Sequence, residues 1–208
     1  MSERIFFYFS FILLLIISSD NLDAQSLQGK RIALDPGHGS PHGTTCEPET
    51  KRFEAYINHI VVPYLKSYLQ SEGAIVFTTR ADFDSLGPCM TLSQRVAIAN
   101  NNNADFFTSV HHNAFNGVAN YSLVLFRQTN NNICPNGNPQ TPQALQMSSI
   151  MAPKLYEALY TTSGLVRGDL CFLGYNLGVL NNLTMPGVLT EASFFDNILQ
   201  RRRLSNLN

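Results

Sequence analysis

Apolar and polar positions along this chain follow two rhythms in alternation. Short apolar or β-branched runs at Ile32 to Leu34, Ala74 to Thr79, Asp105 to Val110, Tyr121 to Phe126 and Val188 to Thr190 have the length and content of buried strands. Between them the apolar positions recur every three or four residues. Phe53, Ile57, Ile60, Val61, Tyr64, Tyr68 and Leu69 form the stripe of an amphipathic helix. Leu92 to Asn100 predicts a short helix, Pro142 to Tyr160 a longer one, and Asp196 to Leu204 a closing one. Pro63 lies inside the first helix, where it removes one hydrogen bond and predicts a kink near His59, and Pro153 interrupts the third in the same way. Asn100 to Asn103 reads as a helix stop, because asparagine tolerates the left-handed backbone of a helix end. Strands alternating with helices predict an α/β fold: a single domain with a mostly parallel, twisted sheet and helices on both faces. No internal repeat or linker interrupts the pattern.

The first 24 residues stand outside it. Arg4 precedes Ile5 to Ile17, thirteen positions that are apolar except for Ser10, and a polar stretch then ends on Ala24. This reads as a signal peptide with cleavage after Ala24, leaving residues 25–208 as one domain. Thirteen residues are too few for a permanent membrane anchor. Leu22 is a mediocre residue at the third position back, so an uncleaved segment stays open. The expected destination is export, to the periplasm or outside the cell. The whole chain carries a net charge of −1, and residues 25–208 come to about +1, so charge gives no reason to expect a nucleic-acid partner. Arg201-Arg202-Arg203 is the one basic run, and on a closing helix it reads as a solvated face that suits the negative end of the dipole.

Cys46, Cys89, Cys134 and Cys171 contain no C-x-x-C pair. An even count in an exported chain favours two disulfides over a metal cluster. Of the three possible pairings, Cys46 with Cys89 and Cys134 with Cys171 is preferred, each expected to close a loop near the end of the first strand.

The chemistry-bearing residues collect where strands end, which in open α/β sheets is where ligands bind. The first strand runs into Asp35-Pro36-Gly37-His38-Gly39, and the two glycines leave the backbone around His38 bare. Another strand runs into His111-His112-Asn113, and Val188 to Thr190 runs into Glu191. Parallel strands would open all three ends on one face. Glu54 falls in what the pattern makes the first helical turn, a position that the helix dipole alone would explain. His42 and Cys46 offer a rival site in the loop after His38, and Glu47 and Glu49 compete with Glu54, but none sits on a pattern that would fix it. His59 reads as a partly exposed or hydrogen-bonded helix residue. His112 faces away from His111 if its strand keeps alternating.

These motifs are similar to those of the zinc-dependent N-acetylmuramoyl-L-alanine amidases of the type-3 amidase family. That family cleaves the lactyl amide joining glycan to stem peptide in bacterial peptidoglycan. Leu34-Asp35-Pro36-Gly37-His38-Gly39 resembles its first motif, Glu54 with Asn58 its second, and Ser109-Val110-His111-His112-Asn113-Ala114 its third. Leu189-Thr190-Glu191-Ala192-Ser193-Phe194-Phe195-Asp196-Asn197 resembles its last. The likeness extends to Thr79-Arg80, Leu92, Arg95, Ala99, Asn100 and Arg167-Gly168, and so covers the chain from about residue 30 onward. It implies one zinc ion held by His38, Glu54 and His111, with Glu191 as the catalytic carboxylate and peptidoglycan as the substrate. Asp35 and Asn113 would orient the ligands. Two imidazoles and one carboxylate suit zinc and leave a fourth position for water.

The chain departs from the family in the loop from Thr44 to Lys51, in the two helix prolines and in the Asn/Pro-rich stretch Gln128 to Thr141. Residues 114–144 contain no amphipathic stretch long enough to plug the site, so activity without an activator is expected. An exported zinc peptidase and a wall-binding module that holds zinc without turnover are the other readings. The first would want more aspartates near the motifs, and the second is opposed by the presence of all four key side chains.

Overall fold

The computed structural model describes residues 27–39, 49–80, 90–129, 134 and 139–205. The expected signal segment, the pair Cys46 and Cys89, and the rivals His42 and Glu47 lie outside the described residues. Six strands form one sheet: β1 (Arg31–Pro36), β2 (Ile75–Thr78), β3 (Phe106–Asn113), β4 (Ser122–Phe126), β5 (Gly164–Gly168) and β6 (Gly187–Phe194). Their order is β2-β1-β3-β6-β4-β5. β2, β1, β3 and β6 are parallel, whereas β4 lies antiparallel to β6 and carries β5 parallel to itself.

Near-continuous burial of β1, β3, β4 and β6 follows from helices on both faces. On one face Ile32, Leu34, Val76 and Val110 pack under helix α1 (Glu49–Ser71) through Ile57, Val61 and Leu69. Val124, Phe126 and Val188 pack on that side against Ala144, Ala152 and Leu155 of a later helix, Pro142–Leu159. On the other face Ala33, Phe107, Leu123, Leu125 and Leu189 meet Val96 and Ala99 of helix α2 (Leu92–Asn101), with Val179 and Leu180 of a short 3₁₀ turn. Numbering the helix Pro142–Leu159 as α3, two shorter ones follow: α4 (Asp169–Leu173) and α5 (Ile198–Leu204). No helix among the described residues is long and apolar enough to cross a membrane.

Several expectations are met or corrected in detail. α2 starts on a capping box at Thr91 and Gln94 and ends in the asparagine run, with Asn103 in left-handed backbone at φ 47°. α1 begins at Glu49 and runs on through Pro63, so Glu54 sits in its second turn, out of the dipole's short reach. α5 starts two residues later than expected because Asn197 caps it, accepting from the Leu199 and Gln200 amides. Its arginines are not simply solvated: Arg201 lies over the Phe53 ring and Arg203 over Tyr160.

β5 and α4 were not legible, since Gly164-Leu165-Val166-Arg167-Gly168 is too short and too rich in glycine to stand out. The Cys134–Cys171 disulfide is present, closing a separation of 37 residues. It does not lie near the end of β1, as expected. The reversed direction of β4 and β5 carries Cys171 beside Gln128, two residues past the end of β4, at the opposite end of the sheet. Closing a loop of this length stabilises the fold by on the order of 4 kcal/mol.

α3 approaches the sheet closely at Gly164, where a methyl would overlap the Ala152 carbonyl. Gly164→Ala is therefore expected to lower the unfolding free energy by about 1–3 kcal/mol. Urea denaturation checks this, and an unchanged midpoint would contradict the close packing.

Candidate metal centre

The end of β1 is held in an unusual backbone conformation. His38 adopts φ 66°, a left-handed value that costs a non-glycine residue energy and persists only where its surroundings enforce it. Two buried arginines do so. Arg95 of α2 donates to the carbonyls of Pro36 and His38, and Arg80, just past β2, donates to those of Pro36 and Gly39. Arg95 also donates to Asp35 Oδ1 at 2.9 Å, and Asp35 accepts from the hydroxyls of Thr79 and Ser109. Asp35 thus touches neither histidine and acts on His38 through Arg95. Asn58 of α1 adds a donor to the Gly37 carbonyl at 3.3 Å.

The end of β3 fits against this loop. Gly37 donates to the Val110 carbonyl, and any side chain at position 37 would overlap the His111 imidazole. The glycine is required here for close approach. The His38 and His111 rings stand edge to face with centroids 4.8 Å apart. Glu54 reaches between them from α1, its Oε2 lying 2.9 Å from His38 Nε2 and its Oε1 3.0 Å from His111 Nδ1. The His112 amide also donates to Oε1 at 3.3 Å.

Glu54 is 1% exposed. Burial alone would raise its pKa, but hydrogen bonds and charge from His111 and His38 outweigh this and hold the carboxyl well below the usual range. His112 points to the other face of the sheet, as strand alternation predicts, and its Nδ1 lies 2.9 Å from Asn58 Oδ1. Full burial pushes its pKa down to about 4, so it stays neutral. His59 is buried rather than partly exposed.

His38, Glu54 and His111 form a group that could hold a metal ion, with one donor atom from each all within 4.8 Å of one another. Donors about 2.0–2.1 Å from a tetrahedral ion stand about 3.3 Å apart, so the spacings around Glu54 need only small adjustment. Glu191 lies across from His111 in the β3–β6 register, which puts both side chains on the same face of the sheet. Beyond it the register shifts, with two residues of β3 spanning three of β6, a bulge of the kind that re-aims side chains beside sites. A pocket of about 420 Å³ opens next to Glu191, floored by Leu123, Leu125 and Leu189. Tyr121 also lines it, and burial, helped by the charge of Glu191, raises the pKa of that phenol. Asn113 faces the pocket too, but its Oδ1 accepts from the Ala114 amide instead of orienting an imidazole.

The sequence did not assign the support that Arg80, Arg95 and Asn58 give. Asn58, Arg80 and Arg95 all fall within the family likeness, which gave them no role.

Two outcomes follow from this geometry. Arg95→Lys keeps a charge beside Asp35 but loses the planar fork that reaches three oxygens, so metal affinity should fall about 10–100-fold. Competition against a chromophoric chelator reads this, and unchanged affinity would remove Arg95 from the support. Because His112 binds a proton more weakly folded than unfolded, its contribution to stability is complete above its ordinary pKa of 6.5. It is lost as pH falls from there to about 4. The loss is on the order of 3 kcal/mol in the metal-free protein. Urea titrations between pH 7 and 4 should show a shallower pH dependence for His112→Gln.

Comparison with known proteins agrees with this architecture. The family described as Amidase_3, N-acetylmuramoyl-L-alanine amidase, matches residues 32–208. An uncharacterized cell wall amidase of Bacillus anthracis is 30% identical over 188 residues, covering 86% of this chain and 32% of its own length. The germination-specific N-acetylmuramoyl-L-alanine amidase of Bacillus subtilis is 26% identical over 186 residues, covering 82% of this chain and 69% of its own. The chain therefore spans about a third of the first relative and two thirds of the second. Among solved structures, the catalytic domain of CwlV, an amidase from Bacillus (Paenibacillus) polymyxa, shares the fold at a TM-score of 0.62 and 23% identity, over 84% of this chain and 86% of that one. A family match that runs from β1 to the end of the chain, across the strand ends bearing His38, His111 and Glu191, establishes that this chain belongs to the N-acetylmuramoyl-L-alanine amidase family.

Proposed function

We propose that this protein hydrolyses the amide between N-acetylmuramic acid and L-alanine in peptidoglycan, using one zinc ion held by His38, Glu54 and His111. The observation that carries this reading is the convergence of those three side chains at the ends of β1 and β3, with Glu191 beside them in register on β6. When bound by three protein ligands, zinc keeps a position for water, lowers the pKa of that water to roughly 7 and polarises the scissile carbonyl.

The rest of the chemistry falls to the chain. Glu191 accepts the proton of the attacking water as its oxygen bonds to the carbonyl carbon. It then returns that proton to the nitrogen as the C–N bond breaks, serving as base and acid in one turnover. Arg95, Arg80 and Asn58 hold the His38 loop in place throughout. Residues 1–24 direct export and residues 25–208 form the catalytic domain, which acts at the cell wall. The domain is expected to work without an activator, because residues 114–144 carry no amphipathic stretch long enough to plug the site.

The deciding experiment uses purified protein, with no partner added, on purified peptidoglycan. Wild type should release L-alanine amino termini, lose this on metal stripping and regain it with zinc. Glu191→Gln should bind zinc normally while kcat falls about 10²–10⁴-fold. Zinc binding with no amide cut would favour the wall-binding module, and release of amino termini from inside the peptide would favour a peptidase. Activity that appears only after a second protein is added would reject independence from an activator.

A further inference from the structure

The wall of the pocket beside Glu191 is built by a segment that none of the motifs includes. Asp169, fully buried at the start of α4, binds both ends of the stretch that follows it. Its Oδ1 accepts from the amides of Gln128 at 2.9 Å and Leu170 at 2.7 Å and from Asn176 Nδ2 at 2.9 Å, while its Oδ2 accepts from the Leu177 amide at 2.8 Å. Gln128 Oε1 accepts from the Cys171 amide, and the Cys134–Cys171 disulfide fastens the same point covalently. Between these fixed ends Phe172 and Tyr175 remain 40% and 59% exposed, and both line the pocket. Phe115, which also lines the pocket, is 78% exposed, on a loop that Asp196 pins by accepting from the Phe115 and Gly117 amides at 2.9 Å. Anchoring the backbone that carries these rings removes beforehand part of the freedom that binding would otherwise take from it.

The lining also limits what can occupy it. Among the described residues it contains no lysine, arginine or histidine, and Glu191 is the one carboxylate among them. The scissile amide has two sides. The amine side leads into a peptide that ends in carboxylates, and these would find no cationic side chain among the described lining residues to pair with. The acyl side leads to an N-acetylated sugar, which is neutral. A pyranose offers an apolar C–H face to aromatic rings and hydroxyls at its edge, within reach of polar groups such as Asn113 and Tyr121. A volume of about 420 Å³ is that of a small-ligand site, enough for one or two sugars and not for a long strand.

We propose that this pocket is the glycan-side subsite, in which Phe115, Phe172 and Tyr175 stack on the N-acetylated sugar bearing the scissile lactyl amide. This rests on the amidase reading and adds the residues that would set its specificity. The segment from Asp169 to Leu177 is then a positioning wall that turns the sugar's acyl group toward Glu191.

The test uses the zinc-loaded full chain and the double variant Phe172→Ala with Tyr175→Ala, whose exposed rings can be removed without opening the core. Calorimetry with a free neutral disaccharide of two N-acetylglucosamines, which has the N-acetylated pyranose but no lactyl carboxylate, reads binding with no bond cleaved. Kinetics on a disaccharide peptide and on the matching lactoyl peptide without sugar read the subsite in turnover. Disaccharide affinity should fall about 10-fold or more in the variant. KM should rise similarly on the disaccharide peptide with kcat little changed, while cleavage of the sugar-free peptide stays as in wild type. Equal losses on both peptides would place the pocket on the peptide side and overturn the proposal, as would wild type that cleaves the amide without measurable disaccharide binding. Wild type that binds the disaccharide through these rings yet cuts neither peptide would sink the amidase reading and leave the subsite standing.

Discussion

A carboxylate taken out of water survives as an anion only where donors or positive charge replace its hydration, and Glu54 is such a group. Its oxygens lie between two imidazoles and accept from the His112 amide, contacts that outweigh the cost of burial. Much of the site's geometry serves to keep these partners in place. His38 is held in left-handed backbone by two arginines, and one of these is neutralised by a buried aspartate that two hydroxyls also satisfy. Removing one member leaves an uncompensated charge or an unpaired carbonyl in the interior, so the network is fixed as a unit.

Strand direction then decides what surrounds the centre. Four parallel strands bring the ends of β1, β3 and β6 to one edge of the sheet, where His38, His111 and Glu191 gather. The reversal at β4 has a different effect. It sets Leu123 at the start of β4 beside Glu191 and sends both β4 and β5 to the far end of the sheet, from which the chain returns through α4. The returning segment leaves part of the sheet face open, and that opening is the pocket. Charged chemistry thus sits at the strand ends, beside a cavity whose described lining is uncharged apart from Glu191, and the two can bind different parts of one molecule.

Much of this was legible in the chain. Apolar runs and three-and-four spacings marked five of the six strands and all of the longer helices, because both faces of the sheet are buried and each helix shows a periodic stripe. Strand-end punctuation singled out His38, His111 and Glu191, and alternation gave the turn of His112 to the other face of the sheet from His111. β5 escaped because an edge strand with two glycines has little pattern to read, and Glu54 was set one turn too early because the apolar stripe starts after the helix does.

The sequence by itself determined the elements and the identity of the chemical groups, since both depend on local spacing and residue type. Tertiary structure alone decided which distant groups meet. Arg95 lies 60 residues from Asp35 and 57 from His38, and nothing in a helix pattern says that its guanidinium will satisfy both. The reversal of β4 likewise moved Cys171 to the far end of the sheet and made the pocket, because strand direction is set by which edges pair and which faces are covered, and local sequence carries neither.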